Sequence, residues 1–202
     1  MSPLSSEDRR SLLGIARRAI VEAVTLSRMW EPGATSAALA ERRGAFVTLK
    51  RHGALRGCVG QPIPLDPLAH TVAACAVLAA REDTRFAPVQ PDEIGELTVE
   101  ISALSPMEPI LPEQIEIGRH GLWIEAGRRR GLLLPQVAVE HGFTPERFLA
   151  ETCAKAGLPP DTWKSLDTRI SGFTAEIFSD EDAGKDVPTD QRFLYTPASP
   201  TK

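Results

Sequence analysis

The residues of this chain best suited to chemistry lie together in Leu55-Arg56-Gly57-Cys58-Val59-Gly60. Cysteine attacks through its thiolate, and a guanidinium two residues away on an extended strand would stand beside it and favour that anion. Simple alternation puts Ala54, Arg56 and Cys58 on one strand face and Leu55 and Val59 on the other. Glycine inside a strand marks a bulge or a place where a backbone or ligand comes close, and Gly57 and Gly60 bracket the cysteine. The same six residues also fit an inert, packed cysteine with Arg56 reaching out to water.

The elements that must position this hexapeptide are β-rich. Ala45 to Lys50 and Ala54 to Val59 flank the polar break Arg51-His52-Gly53, which predicts a hairpin. Leu97, Val99, Ile101 and Ala103 alternate with polar residues, so Glu100 faces away from the core of a third strand. Ile115 and Ile117 predict a short β segment. Leu122 to Leu134 reads as a second hairpin with the basic tip Ala126-Gly-Arg-Arg-Arg130, either solvated or set for phosphate. Arg169 to Phe178 reads as one final strand with Phe173, Ala175 and Ile177 inward.

Helical spacing places helices near residues 7 to 27, 67 to 81 and 144 to 156. The first opens on Ser5-Ser-Glu-Asp8, and the second on Asp66 as N-cap with Pro67 behind it. The third opens on Thr144-Pro145 and closes on Gly157. Shorter helical turns are expected at Ala37 to Arg42 and Pro135 to Val139. His70, Cys75 and Cys153 fall among core positions, and the charged run Arg81 to Phe86 reads as a solvated turn in preference to the alternative, a cleft edge. Short loops favour antiparallel pairing. The expected fold is α+β, with antiparallel or mixed sheets flanked by helices.

Composition narrows the function classes. The 202 residues, 42% hydrophobic and 25% charged, suit one substantial core or two small lobes. A net charge of −4 argues against nucleic acid as a partner. No apolar run approaches the ~20 residues of a membrane span and no signal-peptide pattern is present, so a cytoplasmic protein without membrane attachment is expected. Cys58, Cys75 and Cys153 are scattered, which predicts reduced thiols rather than disulfides or a metal site. No P-loop, dinucleotide, zinc or kinase fingerprint occurs, and no cofactor is expected. Residues 181 to 202 read as a polar tail, with residues 1 to 180 forming the domain.

The strings Gly44-Ala-Phe-Val-Thr-Leu-Lys50 and Leu55 to Gly60 resemble the signature of the AMMECR-type domain family, also known as AmmeMemoRadiSam system protein A. The resemblance continues through Asp83-Thr-Arg-Phe86, Val99-Glu-Ile-Ser102, Leu132-Leu-Leu-Pro-Gln-Val137 and Lys155-Ala-Gly-Leu-Pro159, as far as Trp163. It spans roughly residues 8 to 180, and Val59 stands where the family more often has isoleucine. It implies a two-lobed α+β fold, with a larger lobe built from both chain ends, a smaller inserted one, and the Arg-Gly-Cys motif near the junction. It assigns no activity. The family's association with a Memo-like protein and a radical SAM enzyme implies those two as partners in a pathway acting on a small molecule, nucleotide or RNA.

Three function classes follow. In an enzyme, Cys58 would be the nucleophile, Arg56 would hold the thiolate or a substrate anion, and Glu100 or His120 would move protons. In a binding module, Arg56, Asp83, Arg85 and Gln136 would shape a pocket for a small-molecule or nucleotide ligand. In an adaptor, the glycine-rich hairpin would serve only close packing.

Overall fold

A computed structural model describes residues 3–182 of the chain. The described residues divide into two compact units, residues 3–104 with 176–182 and residues 105–175. The tail expected at 181 to 202 lies, from residue 183 on, outside the described residues.

The first unit opens with α1 (Ser6–Thr25). Its start carries a capping box: the Ser5 hydroxyl accepts from the Asp8 N–H, and the Asp8 carboxylate accepts from the Ser5 N–H. After the short α2 (Ala37–Ala40) come β1 (Ala45–Arg51) and β2 (Ala54–Gln61), then α3 (Leu68–Arg81) and β3 (Leu97–Leu104). The second unit carries β4 (Glu108–Pro109), β5 (Gly121–Ala126), β6 (Arg129–Leu133), α4 (Pro135–Glu140), α5 (Pro145–Lys155) and β7 (Arg169–Phe173). The chain then returns as β8 (Ala175–Ser179).

Two antiparallel four-stranded sheets result among the described residues, in the orders β2-β1-β3-β8 and β4-β7-β5-β6. This is the expected α+β architecture of two lobes. In the first unit, Ala45, Val47 and Leu49 of β1 and Leu97, Val99, Ile101 and Ala103 of β3 form one core with Leu68, Val72, Cys75, Ala76 and Ala79 of α3. The small residues of α3 permit a close approach: a Cβ on Gly57 of β2 would stand 2.2 Å from the Ala79 carbonyl oxygen. In the second unit, Ile115, Leu122, Ile124, Ala138, Phe148, Leu149 and Cys153 form a separate core.

Several expectations need correction. Asp66 does not cap α3: Pro67 is the cap residue and makes no side-chain hydrogen bond, while the Leu68 N–H is satisfied by the Glu41 carbonyl at 2.9 Å. Ile115 and Ile117 lie outside any strand; Ile115 fills the second core from the end of the 3₁₀ turn Pro112–Gln114, and Ile117 sits in the following turn, where Gly118 in the left-handed region bends the chain. Residues 169 to 178 form two strands, not one. The break at Thr174 sends β7 to one sheet and β8 to the other, and the alternation shifts within β8 after Ala175, so Phe178 rather than Ile177 is buried. The charged run after α3 is no free turn, since it lies along the edge of β2 and buries the Asp83 side chain to 6% exposure.

Candidate functional site

The hairpin turns on His52 and Gly53, both at positive φ (52° and 78°), the geometry of a two-residue type I′ loop. One step into β2 the register slips: Lys50 faces Leu55 and Leu49 faces Gly57, leaving Arg56 as the extra residue of a bulge. Beyond it, regular pairing sets Thr48 opposite Cys58 on one side and opposite Glu100 on the other. Cys58, Thr48 and Glu100 thus form one row across three strands, in register between core-facing neighbours. The Thr48 hydroxyl donates to the Cys58 sulfur at 3.3 Å. Lys50 Nζ donates to Glu100 Oε2 at 2.8 Å, so the acid of this row carries its own cation.

Cys58 is half-buried, whereas Cys75 and Cys153 are buried. Burial pushes the Cys75 thiol up to about 11 and also raises that of Cys153.

β2 is an edge strand, and the segment after α3 satisfies the outward backbone groups of Cys58. The Cys58 N–H donates to Asp83 Oδ2 at 2.8 Å, and Arg85 Nη2 donates to the Cys58 carbonyl at 3.2 Å. Arg85 also grips Asp83 with two nitrogens, Nε to Oδ1 at 2.9 Å and Nη2 to Oδ2 at 2.7 Å. The Arg85 hydrogen bonds hold the Asp83 carboxyl well below the usual carboxylate range, outweighing its burial, and the Cys58 N–H adds to the effect. Asp83 and Arg85 together therefore do for Cys58 what a neighbouring strand would do.

Arg56 is engaged elsewhere. Its Nε and Nη2 bind the two oxygens of Glu93 at 2.9 and 2.8 Å, and Nη1 donates to the Ala87 carbonyl at 2.8 Å. Neither Asp83 nor Glu100 is its partner. Glu93 also accepts from Arg51 Nη1 at 3.0 Å and from the Gln90 N–H at 2.8 Å. The Arg56 fork and the Gln90 N–H hold the Glu93 carboxyl down at about 2. Arg56 is thus the staple that fixes residues 82–96 against the bulge.

Glu93, Thr48 and Lys50 were not singled out from sequence. Thr48 and Lys50 had a signal, being alternate residues on the strand paired with Cys58. Glu93 had a fainter one, the Gln90-Pro-Asp-Glu93 capping pattern that opens the short 3₁₀ turn before β3.

His120 and Gln136 belong to the second unit. His120 Nδ1 accepts from the Glu116 N–H at 3.0 Å within its own turn, and burial, then the Arg119 charge, lowers its pKa. Gln136 lies in the first turn of α4 with a buried Oε1 that has no hydrogen-bond partner among the described residues. The structure therefore places Cys58, Arg56 and Glu100 on one sheet of the first unit, with Asp83 and Arg85 against its β2 edge, and places His120 and Gln136 in the other unit. Among the described residues no group of three or more His, Cys, Asp or Glu side chains is arranged to hold a metal ion, and no helix is long and apolar enough to cross a membrane.

The glycine-bracketed Arg-Gly-Cys hairpin, clasped by a following Asp-Thr-Arg-Phe segment on a two-unit α+β scaffold, defines a class, and comparison with known families agrees. The AMMECR1 family model matches residues 13–178, so the chain belongs to the AMMECR1 family. Protein TK0174 of Thermococcus kodakarensis is 50% identical over 182 residues, covering 84% of this chain and 89% of that protein. A Methanothermobacter thermautotrophicus protein is 44% identical over 188 residues, covering 89% of this chain and 98% of its own length. The crystal structure of uncharacterized protein PH0010 from Pyrococcus horikoshii superposes with a TM-score of 0.80 at 47% identity, covering 85% of this chain and 90% of that one.

Proposed function

We propose that this AMMECR1-family chain is a cysteine-dependent enzyme acting on a small molecule or nucleotide, with Cys58 as its nucleophile. The observation that carries the reading is the contrast among the three thiols. Cys58 alone is partly open, its sulfur accepting from the Thr48 hydroxyl, while the other two are sealed in cores. In the reaction, Sγ forms a bond to an electrophilic centre of the substrate as the leaving group departs with the bonding pair. The thiol proton passes to that leaving group, with Glu100 of the same row and its partner Lys50, one step along β1 on the same face, as the acid-base pair. A cytoplasmic setting with Memo-like and radical SAM partners accords with this reading. The second reading is a non-catalytic module that presents a ligand or partner at the same hairpin, favoured by how much of Arg56, Asp83 and Glu93 is spent on holding β2.

Brief alkylation with iodoacetamide followed by peptide mapping tests the reading. Cys58 is expected to label about tenfold faster than Cys75 or Cys153. Equal or slower labelling of Cys58 removes the nucleophile and leaves the binding module.

A further inference from the structure

The cation beside Cys58 is not the one its sequence neighbour suggests. All three nitrogens of Arg56 are taken by Glu93 and the Ala87 carbonyl. Arg85, by contrast, reaches the Cys58 carbonyl with Nη2 and grips Asp83 with Nε and Nη2, while Nη1 has no partner among the described residues. Its side chain is 55% exposed, and that of Asp83 only 6%. The pair is therefore an oriented dipole: the carboxylate is turned inward onto the Cys58 N–H, and the guanidinium, its Cζ 5.5 Å from the centre of the Phe86 ring, holds the Cys58 carbonyl and keeps Nη1, unpaired among the described residues, beside the Cys58 backbone.

We infer that Arg85 is the residue that gives the Cys58 site its charge preference, so that the site selects substrates carrying an anionic group, a carboxylate or phosphate, next to the reacting centre. Guanidinium suits both groups, since its free N–H donors lie in the plane that two acceptor oxygens present. The Arg85 pKa is raised, chiefly by the Asp83 hydrogen bonds, and Cys58 is among the smaller contributors, which agrees with a guanidinium close to that sulfur. Asp83 is then a positioning residue. It touches no substrate but fixes both the Cys58 backbone and the Arg85 fork.

This inference rests on the nucleophile reading of Cys58, and one experiment separates the two. Cys58 is alkylated in the full chain with iodoacetate, which is anionic, and with iodoacetamide, its neutral isostere. In both cases sulfur forms the C–S bond, iodide leaves with the bonding pair and the thiol proton goes to buffer. The ratio of the two rate constants divides out accessibility and thiol reactivity, leaving the charge preference. The ratio is expected to fall about fivefold in Arg85→Gln, the scale of one screened unit charge at close range, and to hold near wild type in Arg85→Lys. A ratio unchanged in Arg85→Gln, with Cys58 still labelling fastest, overturns the role of Arg85 and spares the nucleophile. A ratio that falls equally in Arg85→Lys shows that the clasp geometry, not the charge, matters, and also overturns it. If Cys58 labels no faster than Cys75 and Cys153 in the wild type, both readings fall.

Discussion

Glu93 is the residue on which the hairpin's attachment depends most. Its side chain is 10% exposed and that of Arg56 is 15% exposed, so their paired fork works in a largely water-excluded place. Removing one partner of such a pair strands the other, a loss of about 3 kcal/mol. Glu93→Gln is accordingly expected to lower the unfolding free energy at neutral pH by about that amount. The pH dependence has a defined sign. The folded carboxyl sits at about 2, below its ordinary 4.5, so the unfolded chain binds the extra proton first as pH falls. The stabilisation is therefore complete above about 4.5 and disappears as pH drops through about 2. Urea unfolding of wild type and Glu93→Gln across that range should show the two curves converging in acid. A difference that stays constant down to pH 2 would mean that the ion pair is not its source.

At the scale of elements, the seating of β2 on α3 depends on the absence of a side chain at Gly57. A Cβ there would meet the Ala79 carbonyl oxygen at 2.2 Å, a backbone atom that no rotamer change can move. Gly57→Ala must push strand and helix apart beside Cys58, and a loss of about 2 to 3 kcal/mol is expected, the upper range for overpacking. Chemical denaturation measures it, and a loss under about 1 kcal/mol would show that the interface yields easily. Much of this arrangement is legible in sequence. The alternation of Leu97 to Ala103, the turn at His52-Gly53, the apolar α3 and the caps at Ser5 and Thr144 are local signals, and each element forms where its pattern lies. What is not legible depends on partners distant in the chain. The bulge at Arg56 breaks the alternation that would have paired it with Cys58, and its guanidinium finds its partner in Glu93, 37 residues away. The strand switch at Thr174 leaves no gap in an unbroken β-prone run. The segment 82 to 87 looks solvated because its charges are satisfied by a strand edge that composition cannot reveal.

At the scale of the whole molecule, the chain builds most of one unit, departs for some 70 residues, and returns to finish it with β8. The return is anchored inside the first unit: Glu176 accepts from the Leu4 N–H and from Arg9 and Arg43, the last only 4% exposed. Departure and return also lie side by side, since the Ser105 N–H donates to the Thr174 carbonyl and the Thr174 N–H to Ser105 Oγ, both at 2.9 Å. The first core, from Leu4 to Phe178, draws no buried residue from between these points, so the insertion is not needed to complete it. Excising residues 106–173 and joining Ser105 to Thr174 through Asn-Gly, a two-residue connection suited to adjacent antiparallel chains, should therefore leave a folded first unit. Its signature would be cooperative thermal unfolding by circular dichroism, with Cys75 still protected from alkylation. Gradual, non-cooperative melting with Cys75 reacting freely would show instead that the first core forms only with the insertion in place.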